Sequence, residues 1–213
     1  MSIGETKLAS LNTTTSPSTA LLKAQLTEHK LAQYIRLSGG VPIPLAGALY
    51  WAILAWIGTF TELEVWAAIA FPLSGLIFPL ALIFAKIMKC NFMKDKSAVG
   101  SVLLPTFIGM LLFWPMLIMA AKSSSPELIV PILAIGMSLH WPVIGWSYGR
   151  TSLFTAHAVL RAGVVTLIWF TLPDKILTAL PLSIAVIYIL TVFAIYLDVS
   201  RMKSKHISRK VTS

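Results

Sequence analysis

Two histidines and an arginine interrupt a largely apolar part of the chain. The segment Leu139–Arg161 reads LHWPVIGWSYGRTSLFTAHAVLR and contains His140, His157 and Arg161. An imidazole can accept, donate or carry a proton near neutral pH, and a guanidinium keeps its positive charge and donates several hydrogen bonds. Such residues in apolar surroundings indicate a buried site for an anionic or proton-linked solute.

The spacing of these three residues predicts that they lie at one depth of a helical bundle. His157 precedes Arg161 by four positions, so the two share a helix face. A turn is expected near Gly149 and Arg150. His140 lies about ten residues before that turn and Arg161 about eleven after it, which at ~1.5 Å per residue places both ~15–16 Å from the turn.

Neighbouring aromatic and hydroxyl groups are candidates to complete the site. Trp141 and Trp146 flank the turn on the histidine side, and Trp146 is expected at roughly the depth of His157. Tyr188 and Thr191 belong to a later apolar run at a similar depth. We therefore predict a solute-binding or ion-binding group made of the three titratable residues with Trp141, Trp146 and Tyr188.

The composition predicts that most of the chain lies in lipid. Of 213 residues, 57% are hydrophobic and 12% are charged, and the mean hydropathy is +0.82. A soluble domain has about 25% charged residues, and a helix needs roughly 20 apolar residues to cross a bilayer core of ~30 Å. Six runs meet this length. They are about Val41–Phe60, Trp66–Ala85, Val99–Ala121, Leu128–Tyr148, Thr151–Leu172 and Ile176–Leu197.

These runs predict an all-α fold, a six-helix transmembrane bundle over residues 38–200. The segments between them predict its orientation. Fourteen of the 17 Lys and Arg residues fall on the side of both termini, two fall on the other side, and Arg161 is inside a run. Cytoplasmic loops carry the excess of Lys and Arg. Both termini are therefore expected in the cytoplasm.

The segments outside the bundle have distinct compositions. Residues 1–19 form a polar tail that is expected to be disordered, residues 20–37 an amphipathic interfacial helix with Leu22 and Leu26 on its apolar side, and residues 201–213 a basic tail. The loop after the second run holds four lysines that are expected to contact anionic lipid headgroups at the cytoplasmic face. These are Lys86, Lys89, Lys94 and Lys96.

Several function classes are disfavoured by what the sequence contains. The net charge of +9 is spread over short flanks rather than a basic domain, which argues against a nucleic-acid partner. The single cysteine, Cys90, excludes an internal disulfide and a cysteine-cluster metal site. No paired-carboxylate, HExxH, Ser/His/Asp or Cys/His pattern marks an active site, so an intramembrane enzyme is the least favoured class, and no cofactor or metal is expected.

Prolines and one internal similarity suggest further organisation. Proline recurs within the runs, for example at Pro79, Pro115 and Pro142, which predicts kinked structural helices or, alternatively, broken helices around a cavity. Leu49–Trp56 (LYWAILAW) resembles Leu139–Trp146 (LHWPVIGW). An inverted three-plus-three repeat would explain this similarity, and chance is the alternative.

Three motifs resemble a known family. They are GLIFPLALIFAK at Gly75–Lys86, LFWPMLI at Leu112–Ile118 and LHWPVIGWSY at Leu139–Tyr148. Over about residues 30–200 the chain is similar to a family of uncharacterised bacterial multi-pass membrane proteins, a domain of unknown function. The resemblance implies an integral protein of the bacterial inner membrane and no particular activity. The Ser/Thr-rich tail departs from that family, so the resemblance implies nothing for residues 1–28.

Two functional hypotheses remain open. In the first, the protein is a small carrier or channel for an anionic or proton-coupled solute. In the second, it is a non-catalytic assembly partner or sensor, a homo-oligomer or a subunit beside another membrane protein, in which Arg161 and the histidines only join helices. Under this second hypothesis Arg161 extends toward the cytoplasmic surface or bonds carbonyl groups freed by Pro142.

Overall fold

The described part of the chain is helical throughout. The computed structural model describes residues 17–90, 97 and 100–211, and within these ranges it contains ten α-helices and no strand. The helices are α1 (Pro17–Arg36), α2 (Pro42–Ile57), α3 (Leu63–Gly75), α4 (Ile77–Ile87), α5 (Leu103–Leu111), α6 (Trp114–Ala121), α7 (Ile129–Gly136), α8 (Trp141–Ser147), α9 (Thr151–Thr171) and α10 (Ala179–Val211). The prediction of an all-α fold is confirmed.

Four of the predicted runs form segments that are long and apolar enough to cross a membrane. They are Ser38–Ile57, Pro126–Ser147, Thr151–Thr171 and Ala179–Ser204. Prolines in the first and last of these lie near the helix start, where a missing N–H is tolerated. Helix α10 continues to Val211, so residues 201–211 extend the last helix rather than forming a separate tail.

The second predicted run is bent rather than straight. Helices α3 and α4 meet at an angle of 47°, and counting the pair as one span gives five spans instead of four. Pro72 lies inside α3 and Pro79 near the start of α4, with Gly75 between them. Each proline removes one i to i−4 hydrogen bond, and together they account for the break.

The third predicted run is shorter than expected. Residues 98 and 99 lie outside the described residues, and the apolar helical part, Pro105–Ala121, has fewer than 18 residues. Pro115 at the start of α6 separates α5 from α6. The structure therefore supports four or five candidate spans, and the predicted six are not reached among the described residues.

The bundle is organised around α2, α9 and α10. Helix α2 packs along α10 and against α4, while α9 packs against α7, α8 and α10. Two glycines of this core allow close approach. A Cβ at Gly47 would lie 2.8 Å from Cζ of Tyr188, and one at Gly58 would overlap the carbonyl oxygen of Leu177. Small residues at helix contacts are typical of membrane bundles.

Helix α1, which covers most of the predicted interfacial helix, contacts the bundle through its polar side. Leu22 and Leu26 are exposed, whereas Lys30, Gln33 and Tyr34 are buried. The Lys30 ammonium lies 3.3 Å from the ring centroid of Trp146, an attractive cation–π geometry, and removal from water lowers the pKa of Lys30. The leucine stripe thus remains free to face lipid, and the polar stripe contacts protein.

The loop after α4 carries the four lysines that are predicted to contact lipid headgroups. Lys86 and Lys89 are exposed at the end of that helix, and Lys94 and Lys96 lie outside the described residues. Cys90 is buried, and its Sγ donates to the carbonyl oxygen of Leu37 over 3.1 Å. The described part of this loop thus presents its lysines outward and its thiol inward.

Candidate functional site

The guanidinium of Arg161 lies in the centre of the bundle. The side chain is 0% exposed. Its Nη1 donates to the hydroxyl of Tyr188 over 2.9 Å. Its central carbon lies 5.0 Å from the ring centroid of Trp51 and 5.3 Å from that of Tyr188. Helices α2, α9 and α10 therefore all contribute to the surroundings of one charge.

Arg161 has no acidic partner among the described residues. Its Nε and Nη2 form no hydrogen bond there, and Nη1 has only the neutral Tyr188 hydroxyl. The carboxylate of Asp198, in the C-terminal half of α10, instead accepts from Nε of Arg150 over 2.6 Å. An arginine at the bilayer centre costs about 2.5–3.5 kcal/mol or more. Two N–H-bearing nitrogens thus remain for an acceptor from outside the described chain.

His157 is oriented by α10. Its Nδ1 lies 2.7 Å from the hydroxyl oxygen of Thr191, which is 2.8 Å from the carbonyl oxygen of Ile187. A hydroxyl has one proton. We assign that proton to the Ile187 carbonyl, so Nδ1–H of His157 donates to Thr191 and Nε2 carries the lone pair. This Nε2 is buried and has no partner among the described residues.

The ring of Trp141 connects the two histidines. It stacks on His157 with centroids 4.0 Å apart and an interplanar angle of 27°. His140, the residue before it, contacts Phe107 at 5.0 Å between centroids. Nδ1 of His140 and the indole N–H groups of Trp51 and Trp141 are buried without partners in the described chain. Unpaired buried polar groups are unusual in native proteins, and their concentration here marks a site.

Three polar contacts join α9 to α10 in antiparallel order. Arg161 bonds Tyr188, His157 bonds Thr191, and Arg150, just before α9, pairs with Asp198. We call these contacts the polar rungs. They run from the middle of the bundle to the end where α1 docks. They fix the register of the two helices, because sliding either by one residue would break each contact.

Most of the predicted site residues are brought together. His140, Trp141, His157, Arg161 and Tyr188 are all buried and linked by ring contacts or hydrogen bonds. In contrast, Trp146 is 43% exposed and contacts Lys30 at the end of the bundle. The expected depth of Trp146 would have allowed contact with the site. Trp146 instead lies on a different side of α8 from Trp141, away from Arg161.

Trp51 is the site residue that the depth argument missed. The available signal was the similarity of Leu49–Trp56 to Leu139–Trp146. Trp51 and Trp141 hold the third position of the two segments, and both are buried beside the site. The final tryptophan of each segment is exposed. The two segments therefore have matching inner and outer faces, as a repeat requires.

The contact between His157 and Thr191 gives a test of how the site is held. In Thr191→Val the Nδ1–H group of His157 loses its acceptor, and we expect a loss of about 1 kcal/mol in the free energy of unfolding. Denaturant unfolding of detergent-purified protein would measure it. The control is Thr171→Val, because Thr171 is exposed and its hydroxyl donates to the carbonyl of Leu167 in its own helix. Equal effects of the two changes would contradict this role of Thr191.

The arrangement suits the binding of an anion. It combines a buried guanidinium with two buried indole N–H donors, and Nε2 of His157 would be a further donor once protonated. Among the described residues no group of three or more His, Cys, Asp or Glu side chains could hold a metal ion. Donor groups therefore dominate the chemistry that the described side chains offer.

The fold and the site define the class of the protein. The part of the chain that the structure describes is all-α, with four or five segments long and apolar enough to cross a membrane and a buried cationic group at their centre. The chain belongs to a family of unknown function, DUF7010, whose model matches residues 26–198. This agrees with the extent of the resemblance inferred from the sequence motifs. Comparisons with curated proteins and with solved structures find no match.

Proposed function

We propose that this protein is a multi-span membrane protein that binds a small anion at Arg161 and carries it across the bilayer. One observation supports the proposal above the others: a fully buried guanidinium has no carboxylate partner and two nitrogens without acceptors among the described residues. Low dielectric surroundings strengthen the attraction between the charge and an anion. A bound anion would offset the cost of placing Arg161 in lipid.

The proposed orientation places both termini in the cytoplasm of a bacterial cell, with the protein in the inner membrane. The support is the asymmetric distribution of Lys and Arg and the resemblance noted from the sequence motifs. In this orientation the Arg150–Asp198 pair and helix α1 lie at the cytoplasmic end, and Lys122 at the outer end.

Cysteine labelling tests the orientation. The chain has one cysteine, Cys90, so Cys90→Ser gives a background for single new cysteines. Ser124 and Ser200 are both exposed. In intact spheroplasts, we expect a membrane-impermeant maleimide to label Ser124→Cys and not Ser200→Cys, and the reverse in inside-out vesicles. The opposite pattern would overturn the orientation.

Carriage requires the site to open, since Arg161 is 0% exposed. The polar rungs hold α9 and α10 together, so opening would separate this pair from α2 or from α7 and α8. Trp51 approaches the guanidinium from α2, and Trp141 approaches His157 from α8. In this mechanism the indoles of Trp51 and Trp141 move away from the guanidinium when the site opens. Nε2 of His157 then accepts a proton from solvent or from the conjugate acid of the anion.

Anion binding is tested first on the purified protein. A ligand that binds only the folded state stabilises it by RT ln(1 + [L]/Kd). We expect one or more of chloride, nitrate, acetate and phosphate to raise the unfolding temperature in detergent at constant ionic strength. Proteoliposomes loaded with the active anion should then release it faster than protein-free vesicles. No shift with any of these anions at about 100 mM would contradict the proposal.

One observation favours a second candidate, a non-catalytic assembly partner or sensor. Arg161 is enclosed on all sides and already bonds Tyr188, as expected of a group that joins helices. Under this reading, purification in mild detergent yields a complex with another membrane protein, and loss of Arg161 weakens the complex. An anion-insensitive protein that purifies in such a complex would favour this candidate.

A further inference from the structure

The two unpaired nitrogens of Arg161 form one edge of its guanidinium. The group is planar, with Nη1 on the side of Cδ, so the N–H of Nε lies parallel to one N–H of Nη2. Nη1 donates to the hydroxyl of Tyr188 over 2.9 Å. Nε and Nη2 are buried and have no partner among the described residues. The nitrogens that remain therefore present a pair of parallel donors.

A pair of parallel donors selects the shape of the acceptor. A carboxylate has two coplanar oxygens and accepts from both N–H groups at once, and this bidentate geometry gives strong, directional hydrogen bonds. Chloride has a single centre and cannot align with both donors. A lysine ammonium in the same place would be a point charge and would not make this distinction. The free edge of Arg161 thus favours a planar oxyanion over a spherical one.

The charge of the surroundings favours an anion with one negative charge. Among the described residues, the buried cationic side chains are Arg161 and Lys30, and Lys30 lies beside Trp146 at the end where α1 docks. While the imidazoles of His140 and His157 are neutral, the guanidinium is the positive charge that the described interior offers. A second negative charge there would be buried without a partner, which is costly. Phosphate and dicarboxylates are therefore disfavoured.

The side chains around the guanidinium are compatible with an apolar body on the anion. The ring centroids of Trp51 and Tyr188 lie 5.0 and 5.3 Å from the central carbon of the guanidinium. Val165 follows Arg161 by four residues on α9, and Ile184 precedes Tyr188 by four on α10, so each continues the same helix face. Both are 0% exposed. Burying methylene groups among such side chains favours binding.

From these observations we propose that the anion carried at Arg161 is a monocarboxylate with a small apolar body. Its two oxygens accept from the N–H groups of Nε and Nη2, while Nη1 keeps its bond to Tyr188. Both nitrogens are closed off from solvent in this structure, so the carboxylate reaches them through the opening that carriage requires. This choice of ligand class depends on the proposed function, because it concerns the same site.

A series of anions tests the class of ligand. Chloride, nitrate, acetate and butyrate are added as sodium salts to the detergent-purified full chain, near neutral pH and at constant ionic strength. Affinities are taken from the rise in unfolding temperature across a concentration series. We expect acetate to bind at least about tenfold more tightly than chloride. Two further methylene groups should make butyrate about tenfold tighter than acetate. Butyramide, the neutral counterpart of butyrate, should give no shift.

The outcomes separate the class of ligand from anion binding itself. Chloride binding as tightly as acetate would overturn the carboxylate and leave anion binding in place. Nitrate binding more tightly than butyrate would indicate a bare planar anion and would also overturn the proposal. A shift with butyramide equal to that with butyrate would show that the charge is not recognised. No shift with any anion would contradict the proposed function.

Arg161→Lys separates the shape of the donor group from its charge. Lysine keeps the positive charge and loses the fixed pair of parallel donors, so the affinities for acetate and chloride should come within about threefold of each other. The control is Arg150→Lys at the end of the bundle, which should keep the parent preference for acetate. A parent-like preference in Arg161→Lys would overturn the bidentate contact. Should Arg161→Lys fail to fold, the anion series on the parent protein decides the class by itself.

Discussion

Arg161→Met is expected to abolish anion binding and leave the protein about as stable as before. Loss of the guanidinium removes Nε and Nη2, the two donor nitrogens without acceptors among the described residues. Two hydrogen bonds to a charged group are worth about 1.5–3 kcal/mol each, so the affinity for the anion should fall at least about 100-fold. The measurement is the anion-dependent rise in unfolding temperature, followed by flux in proteoliposomes.

Two opposing effects keep the expected change in the free energy of unfolding of Arg161→Met small when no anion is bound. Removing a charge from the centre of the bundle recovers about 2.5–3.5 kcal/mol. Losing the bond to Tyr188 costs about 1.5–3 kcal/mol. Methionine has a similar length and adapts to irregular spaces. We therefore expect the free energy of unfolding to stay within about 1 kcal/mol of the parent value.

Arg150→Met is the matched control. It removes a guanidinium that is 22% exposed and paired with Asp198 at the end of the bundle. Anion affinity should be unchanged in this variant. A fall in affinity as large as in Arg161→Met would show that the anion responds to net charge, and would contradict a specific site. A large loss of stability in Arg161→Met, with unchanged anion binding, would favour the structural role.

Gly47→Val should destabilise the protein by about 3 kcal/mol. The first added carbon would lie 2.8 Å from Cζ of Tyr188 and 3.2 Å from its hydroxyl oxygen, closer than van der Waals contact allows. Tyr188 would have to turn away, and the bond to Arg161 would be lost with it. The readout is denaturant unfolding in detergent.

Two further variants isolate the cause of this loss. Gly163→Val adds the same side chain to α9, where nothing lies within 4 Å, and should change stability by less than about 0.5 kcal/mol. In a Tyr188→Ala background, Gly47→Val should cost only about 1 kcal/mol, which is a coupling of about 2 kcal/mol in the double-mutant cycle. Additive effects would mean that Gly47 acts through some contact other than Tyr188.

The position of proline in each predicted run indicates whether that run forms one helix or two. The runs that form α2 and α10 have proline only near the helix start, and the run that forms α9 has none. The second, third and fourth runs carry proline in their interiors, and each is divided into two helices. Hydropathy alone counts apolar residues and does not register the lost backbone bond, so it predicted six spans without showing which of them are divided.

Helical periodicity predicted the part of the site that lies on a single helix. The four-residue spacing of His157 and Arg161 places them on one face of α9, and both are buried. Depth estimates paired Arg161 with His140 and placed Tyr188 and Thr191 at a similar depth. Trp146 was misplaced because five residues separate it from Trp141, about 140° around the helix. Depth and periodicity could not place Trp51, because its contact with Arg161 depends on the packing of α2, about a hundred residues earlier in the chain. The similarity of Leu49–Trp56 to Leu139–Trp146 was the signal for it.

The polar rungs between α9 and α10 have a consequence for biogenesis. A lone α9 would enter the bilayer with an unshielded guanidinium, at a cost of about 2.5–3.5 kcal/mol or more. The short connection to α10 brings Tyr188, Thr191 and Asp198 within reach as soon as the second helix emerges. We expect the two helices to leave the translocon together as a preassembled hairpin, so that Arg161 never faces acyl chains alone.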